Sequence, residues 1–142
     1  MIILDTNVVS EPLKPAPGRS VLEWLDQQNI ETLFLTTISL AELRFGVAAL
    51  PHGRRKDGLR AALDDTLMGL FGARVLGFDT AAANSYAEIR VRAKASGKAI
   101  GASDGYIAAI AASHGFMVAT RDTATFVAAG VQVVDPWMSA QG

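Results

Sequence analysis

Short apolar segments alternate along this chain with longer segments whose apolar residues recur at helical spacing. The short segments predict buried strands and the longer ones predict helices, because the two structures differ in side-chain period. Strands separated by helices are typical of an α/β fold, with a parallel sheet covered by helices on both faces and ligands at its carboxyl edge. The predicted strands cover Ile2 to Leu4, Leu33 to Thr36, Arg74 to Phe78, Met117 to Thr120 and Val131 to Val134.

Helices are predicted between the strands from apolar spacing and from the residues that end a helix. Pro15, Pro51 and Gly115 each stand where a helical pattern stops. Ser20-Val21-Leu22-Glu23 and Ser39-Leu40-Ala41-Glu42 match the capping box that begins many helices. The predicted helices cover Ser10 to Leu13, Arg19 to Gln28, Ser39 to Leu50, Gly53 to Phe71, Ala81 to Ser96, Ser103 to His114 and Ala124 to Ala129.

Length and composition favour a single domain over residues 1–142, because 50% hydrophobic residues in a chain of this size can supply one core. The absence of cysteine excludes disulfides, zinc-thiolate sites and a thiol nucleophile. No apolar run approaches the roughly 18 residues of a membrane span. The N-terminus also lacks the basic region of a signal peptide. We therefore expect a cytoplasmic protein with no membrane association.

Four carboxylates stand at predicted strand ends or near helix starts, where a structural protein has little use for a charge: Asp5, Glu42, Asp104 and Asp122. If the strands are parallel, their carboxyl ends converge at one edge of the sheet. Like charges packed there raise one another's pKa values unless a divalent cation lies between them. The chain has only two histidines, so oxygen ligands and Mg²⁺ or Mn²⁺ are favoured.

Each acid also has a structural interpretation. An aspartate that follows a strand often caps the next helix, and Glu42 completes one of the two capping boxes. Asp79 and Asp135 also follow predicted strands. We interpret Asp79 as the cap of the long helix and Asp135 as a turn residue before Pro136.

The formal net charge of −1 argues at first sight against a nucleic-acid partner. Setting the four proposed ligands aside, however, leaves 10 acids against 13 bases. Two groups of bases could hold phosphates, although each could equally be a solvated helix face or loop. The first group is Arg54, Arg55 and Lys56, and the second is Arg90, Arg92, Lys94 and Lys98.

An ordered set of motifs resembles the PIN-domain nucleases, and within them the VapC-type toxins of bacterial toxin-antitoxin pairs. The motifs are Leu4-Asp5-Thr6-Asn7, Ala41-Glu42-Leu43-Arg44-Phe45-Gly46, Asp104-Gly105-Tyr106-Ile107-Ala108-Ala109 and Thr120-Arg121-Asp122. Their order and spacing match over nearly the whole chain. The resemblance implies a compact, Rossmann-like PIN domain with a central parallel sheet of about five strands.

The resemblance also implies a metal-dependent endoribonuclease that uses all four acids and leaves 5′-phosphate and 3′-hydroxyl ends. Asp5 and Asp104 are the expected Mg²⁺ or Mn²⁺ ligands, and Asp122 is expected to bind through a water or at a second metal position. Glu42 is expected to orient or deprotonate the attacking water. Hydrogen bonds to these carboxylates are expected from Thr6, Asn7, Ser103 and Thr120.

Partners are expected on two grounds. Apolar residues of the predicted helices around residues 39–71 exceed the needs of one sheet face, among them Leu59, Leu63, Leu67, Leu70 and Phe71. The resemblance implies a homodimer and a small DNA-binding antitoxin encoded next to this gene, with which the dimer could assemble further.

Other functions remain open at this stage. A phosphoaspartate enzyme of the haloacid dehalogenase type would need a second aspartate where this chain has Asn7. A non-catalytic α/β interaction module would use the acids as caps. A PIN-type nuclease could also cut DNA, or process RNA without being a toxin, because the same chemistry acts on either polymer.

Overall fold

The structure, a computed structural model, describes residues 1–139. Within this range five strands form one sheet, and every neighbouring pair is parallel. This confirms the predicted α/β fold. The strands are β1 (Ile2–Leu4), β2 (Leu33–Thr36), β3 (Val75–Leu76), β4 (Met117–Ala119) and β5 (Val133–Val134), and their order in the sheet is β3-β2-β1-β4-β5.

Helices connect the strands at the predicted places, with ends that differ by a few residues. The α-helices are α1 (Thr6–Ser10), α2 (Arg19–Gln27), α3 (Thr37–Ala48), α4 (Arg54–Ala61), α5 (Met68–Phe71), α6 (Thr80–Ala95), α7 (Ala102–His114), α8 (Thr123–Ala128) and α9 (Pro136–Ser139). Short 3₁₀ turns lie at Glu11–Leu13, Ile30–Thr32 and Gly72–Arg74, and one π-helical segment covers Ala62–Leu67. None of the helices within residues 1–139 is long and apolar enough to cross a membrane.

Three strands, β3, β4 and β5, are shorter than predicted, and the helix at the end of the described chain was missed. Arg74 ends the 3₁₀ turn at Gly72–Arg74 and does not begin β3; its guanidinium donates to the carbonyl oxygens of Leu33 and Leu70. Val131 is buried but precedes β5. The missed helix is α9, whose backbone at Trp137 donates to the Asp135 carboxylate.

Each face of the sheet carries its own core. Along β1, Ile3 points into a core built from α6, α7 and α8, while Leu4 points into a core built from α1, α2, α3 and α5. Successive strand residues face opposite sides, so a three-residue strand serves both cores. Both residues are almost fully buried, which fixes the register of β1 between β2 and β4.

Neither predicted capping box forms. Thr36 caps α3 instead, because its hydroxyl oxygen accepts from the Ser39 backbone N–H at 3.1 Å. Glu42 is therefore free of any capping role. At α2 the N-cap is Gly18, and Glu23 pairs with Arg19 on the helix surface.

The predicted surplus of apolar residues is smaller than expected. Leu63 and Phe71 are buried in the core beneath α5, and Leu59 and Leu67 pack against the same core. Of the five residues named in the prediction, Leu70 alone is classed as exposed, at 51%. The π-helical segment at Ala62–Leu67 belongs to this helical region between β2 and β3.

Candidate active site

The candidate site lies where the order of the strands in the sheet reverses. The chain builds β2 and β3 on one side of β1, then returns to build β4 and β5 on the other side. In parallel α/β sheets this switch point leaves a crevice at the carboxyl ends of the strands. Asp5 follows β1 directly, and Thr120 follows β4 directly. The switch point therefore brings these two side chains together.

Asp5 is 4% exposed, yet its carboxylate is held by donors on both oxygens. Its Oδ1 accepts from the Thr6 backbone N–H at 2.8 Å. Its Oδ2 accepts from Thr120 Oγ1 at 2.8 Å and from Asn7 Nδ2 at 3.4 Å. Because Thr120 Oγ1 also accepts from the Asp122 backbone N–H at 3.0 Å, one hydroxyl links the positions of Asp5 and Asp122.

Glu42 joins the site through Thr6. Thr6 Oγ1 lies 2.8 Å from Glu42 Oε1 and 2.9 Å from Ser39 Oγ. A hydroxyl has one hydrogen, so Thr6 can donate to Glu42 while it accepts from Ser39. Ser39 was not foreseen as a site residue, because its sequence position suggested a cap. Glu42 is consequently held over the start of α1 by a side-chain network and remains exposed to solvent.

Asp104 and Asp122 do not cap helices with their side chains. Asp104 lies in the first turn of α7, whose N-cap is Gly101. Asp122 occupies the N-cap position of α8, but its carboxylate makes no capping hydrogen bond. By contrast, Asp79 caps α6 as predicted, with its Oδ1 accepting from the Ala82 backbone N–H at 2.9 Å. The structural interpretation therefore fails for Asp104 and Asp122. It is confirmed for Asp79 and also for Asp5, which is the N-cap of α1 and accepts from the Thr6 backbone N–H.

The proximity of the acids shows in their electrostatics. Burial raises the pKa of Asp5 from 3.8 to about 6, against the lowering effect of the hydrogen bonds from Thr120 and Thr6. The negative charges of Asp104 and Asp122 are smaller contributions to the same rise. The pKa of Asp104 is also raised, first by burial and then by Asp122 and Glu42. The causes of these two pKa shifts place the four predicted acids near one another at one edge of the sheet.

The acids are not arranged as a finished metal cage. Among residues 1–139, no three acidic or histidine side chains come close enough to hold an ion as they stand. The donor set nevertheless fits a hard cation, since it consists of carboxylate oxygens supported by the hydroxyls of Thr6 and Thr120. Bare carboxylates repel, so the side chains would have to approach one another around the ion. Ser103 makes no hydrogen bond within the described residues, so its supporting role stays a prediction.

The predicted basic residues divide into different environments. Arg54 and Arg55 are exposed in the first turn of α4. Lys56 is 8% exposed and donates to the carbonyl of Ala48, so its prediction as a phosphate-binding residue is wrong. It satisfies the carboxyl end of α3 instead. The second group lies on α6 and in the loop that follows it; there Arg92 packs its guanidinium against Gly130.

One further contact at this edge was missed. The Arg121 guanidinium stacks over the Trp137 ring, 4.6 Å from its centroid. The Arg121 backbone N–H faces Asn7 Oδ1 at 3.4 Å. Arg121 precedes Asp122, so α9 supports the loop that carries one of the acids. The signal available in the sequence was the Arg between Thr120 and Asp122, whose partner 16 positions later no local pattern reveals.

Five parallel strands with acids at the switch point are the architecture that the sequence motifs implied. A family model described as "PIN domain" matches residues 2–131. The chain belongs to the PIN domain family.

Named relatives narrow the comparison. The chain is 54% identical to VapC ribonuclease Y4jK of Sinorhizobium fredii, over 99% of this chain and 100% of that protein. It is 51% identical to Toxin FitB of Neisseria gonorrhoeae, over 96% and 99% of the two chains. A crystal structure of FitAcB from Neisseria gonorrhoeae matches with a TM-score of 0.94 and 51% identity, over 97% and 99% of the chains. These findings confirm the resemblance to VapC-type PIN proteins.

The raised pKa of Asp5 predicts a specific dependence of stability on pH. The folded protein binds this proton more tightly than the unfolded chain, because the folded-state pKa of about 6 exceeds 3.8. The resulting stabilisation is fully present below pH 3.8 and is lost as the pH rises through 6. In EDTA, ionisation of Asp5 should therefore lower the free energy of unfolding by up to about 3 kcal/mol between pH 4 and pH 7.

Urea unfolding at several pH values gives the free energy of unfolding of the wild type and of Asp5→Asn. The difference between the two proteins measures this cost. The comparison is needed because Glu11, whose pKa Lys14 lowers, loses its stabilising effect in the acid range. We expect the wild type to lose stability relative to the variant as the pH rises. A difference that stays constant from pH 4 to pH 7 would contradict the assigned pKa.

Proposed function

We propose that this chain, as one PIN domain over residues 1–142, is a metal-dependent endoribonuclease and the toxin of a type II toxin-antitoxin pair. The observation that carries the proposal is the buried Asp5 carboxylate at the switch point, with Asp104 and Asp122 beside it, Glu42 beside Asp104, and no compensating cation among residues 1–139. Such an arrangement is electrostatically unfavourable by itself. It becomes favourable when a divalent ion and a phosphate occupy the edge.

Asp5 and Asp104 are the proposed ligands of Mg²⁺ or Mn²⁺, with Asp122 binding through a water or at a second position. A divalent cation supplies positive charge for the phosphate oxygens and activates water at neutral pH. The Thr120 hydroxyl donates to the Asp5 carboxylate and accepts from the Asp122 backbone N–H, so it holds the two residues in a fixed relative position. Once a cation has drawn the carboxylates together, these hydrogen bonds would limit their further rearrangement during the reaction.

Glu42 is proposed to orient the attacking water and to accept its proton. Its carboxylate is exposed, so water can reach it, and Thr6 fixes its position at 2.8 Å. Water attacks the phosphorus in line with the 3′ oxygen and gives its proton to Glu42, the P–O3′ bond breaks, and the leaving 3′ oxygen takes up a proton from solvent. The products are a 5′-phosphate and a 3′-hydroxyl.

The structure gives no support to a module that uses all four acids as caps, because Glu42, Asp104 and Asp122 make no capping hydrogen bond. The geometry of the acids does not distinguish RNA from DNA, since both polymers present the same phosphodiester to the site. The relative named VapC ribonuclease is the finding that favours RNA.

Single-stranded RNA is expected to be cleaved by the purified chain in Mg²⁺ or Mn²⁺ and not in excess EDTA. Asp104→Asn should lower the cleavage rate by roughly 10²-fold or more, because it removes a charge that the cation needs. Asp79→Asn is the matched control. It makes the same chemical change at an aspartate that only caps α6, and asparagine caps equally well. Full activity in EDTA, or equal activity of the two variants, would refute the assignment.

A cytosolic ribonuclease that cuts the cell's own RNA requires restraint, and we propose a small antitoxin as its source. An Arg or Lys side chain placed among the carboxylates would mimic the cation and form charge-assisted hydrogen bonds. An apolar segment of the antitoxin could fill the cleft of about 310 Å³ between α2 and the residues around α5. Leu25, Leu67 and Leu70 are among its lining residues.

Expression of this chain alone is expected to arrest growth, and co-expression with the adjacent small gene is expected to relieve the arrest. The pair should co-purify with less bound metal than the free protein. Asp104→Asn, expressed alone, should permit growth while still binding the partner. Unimpaired growth with active wild-type protein, together with no recoverable partner, would contradict the toxin proposal.

Sedimentation of the free chain tests the proposed homodimer, which a monomer at micromolar concentration would exclude.

A further inference from the structure

A cavity of about 480 Å³ lies at the carboxyl end of α6, beside the loop that leads to α7. It is separate from the carboxylates and from the apolar cleft beside α2. Its lining includes three cationic side chains, Arg90, Lys94 and Lys98, and the apolar groups Ala93 and Ile100. Basic side chains around a water-accessible cavity are suited to an anionic ligand.

The loop is folded so that two of these cations face the same space. Lys94 lies in the last turn of α6, and Lys98 lies in the loop beyond it. Gly97 has a φ of +71°, a conformation that glycine adopts without strain. The turn lets the Lys98 backbone N–H donate to the Ala93 carbonyl at 2.9 Å. The main chain thereby returns over the end of α6 and brings Lys98 back to the cavity beside Lys94.

Arg90 connects this cavity to the loop that leads into α7. Its Nη1 donates to the Ile100 carbonyl at 2.5 Å, and its guanidinium lies over the ring of Tyr86. Ile100 precedes Asp104 by four residues. The loop that Arg90 holds at Ile100 therefore leads directly into the first turn of α7. Tyr86 also packs against α7, by stacking on Tyr106. The cavity is therefore held rigidly next to the helix that presents Asp104.

Lys94 and Lys98 have no partner of opposite charge. Within residues 1–139, neither ammonium group forms an ion pair or a side-chain hydrogen bond, whereas Arg90 is engaged with Ile100. Two unpaired cations of this kind stand in contrast to Lys56, which the fold uses internally. They leave an unneutralised positive charge at the loop that leads into α7, the helix that carries Asp104.

We propose that this cavity binds a phosphodiester group of the RNA strand, next to the phosphodiester group that is cleaved. The inference rests on the proposed function and deepens it. When an RNA strand enters the acidic edge, the cation neutralises the negative charge of the reacting phosphate. The neighbouring phosphates have no such cation and are repelled by the carboxylates. Lys94 and Lys98 offset that repulsion on the side of Asp104. Arg90 acts as a positioning residue that keeps the loop in place.

Binding of a single-stranded RNA to the Asp104→Asn protein, measured at several salt concentrations, tests this inference. Lys94→Gln combined with Lys98→Gln should weaken binding about equally for different RNA sequences, because phosphates carry no sequence information. The slope of log K against log[salt] should fall in magnitude by about 0.7 to 1. Lys94→Arg combined with Lys98→Arg should restore both values.

Arg19→Gln combined with Arg60→Gln is the matched control, since it removes the same charge from exposed positions away from the cavity. We expect it to leave the salt slope unchanged. An unchanged slope in the Lys variant, or an equal fall in the control, would overturn the cavity assignment. Wild-type protein that binds RNA but never cleaves it in Mg²⁺ would overturn the proposed function alone. Wild-type protein that does not bind RNA at all would overturn both.

Discussion

Burial of the Asp5 carboxylate beside the further acids Asp104 and Asp122 is the constraint on which the rest of the site depends. The fold places Asp5 at the switch point, where it is nearly removed from water, and surrounds it with further negative charge. Hydrogen bonds from Thr6 and Thr120 stabilise the carboxylate but do not overcome the effect of burial. Under the proposed function, this stability cost keeps a position ready for a positively charged ligand.

The surrounding structure can be understood as support for that charge. The two cores fix β1 from opposite faces, and β4 holds Thr120 at the end of the neighbouring strand. Thr36 takes over the capping of α3, which leaves Glu42 available to the site. The loop after α6 carries cations where the strand of a nucleic acid would otherwise meet only acids. That loop leads into α7, which carries Asp104 in its first turn.

Sequence patterns predicted the features that depend on local period and on ordered motifs. The parallel sheet, β1, β2 and the gathering of the four acids follow from apolar runs that end at Asp5 and Thr120. The capping boxes failed because a box is a local preference, and Thr36 at the end of β2 competes for the same backbone group. Lys56 was misjudged because its partner, the Ala48 carbonyl, is set by the turn between α3 and α4. The contact of Arg121 with Trp137 depends on tertiary packing alone.

Calorimetric titration of Mn²⁺ into the metal-free protein, in buffers with different ionisation enthalpies, tests the central claim most directly. Because the pKa of Asp5 is about 6, the carboxyl is partly protonated at pH 6, and a cation that binds there must displace the proton. We expect binding at pH 6 to release roughly half a proton or more, and binding at pH 8 to release almost none. Asp5→Asn should abolish this difference. Absence of Mn²⁺ binding, or proton release that is the same at both pH values, would contradict the account.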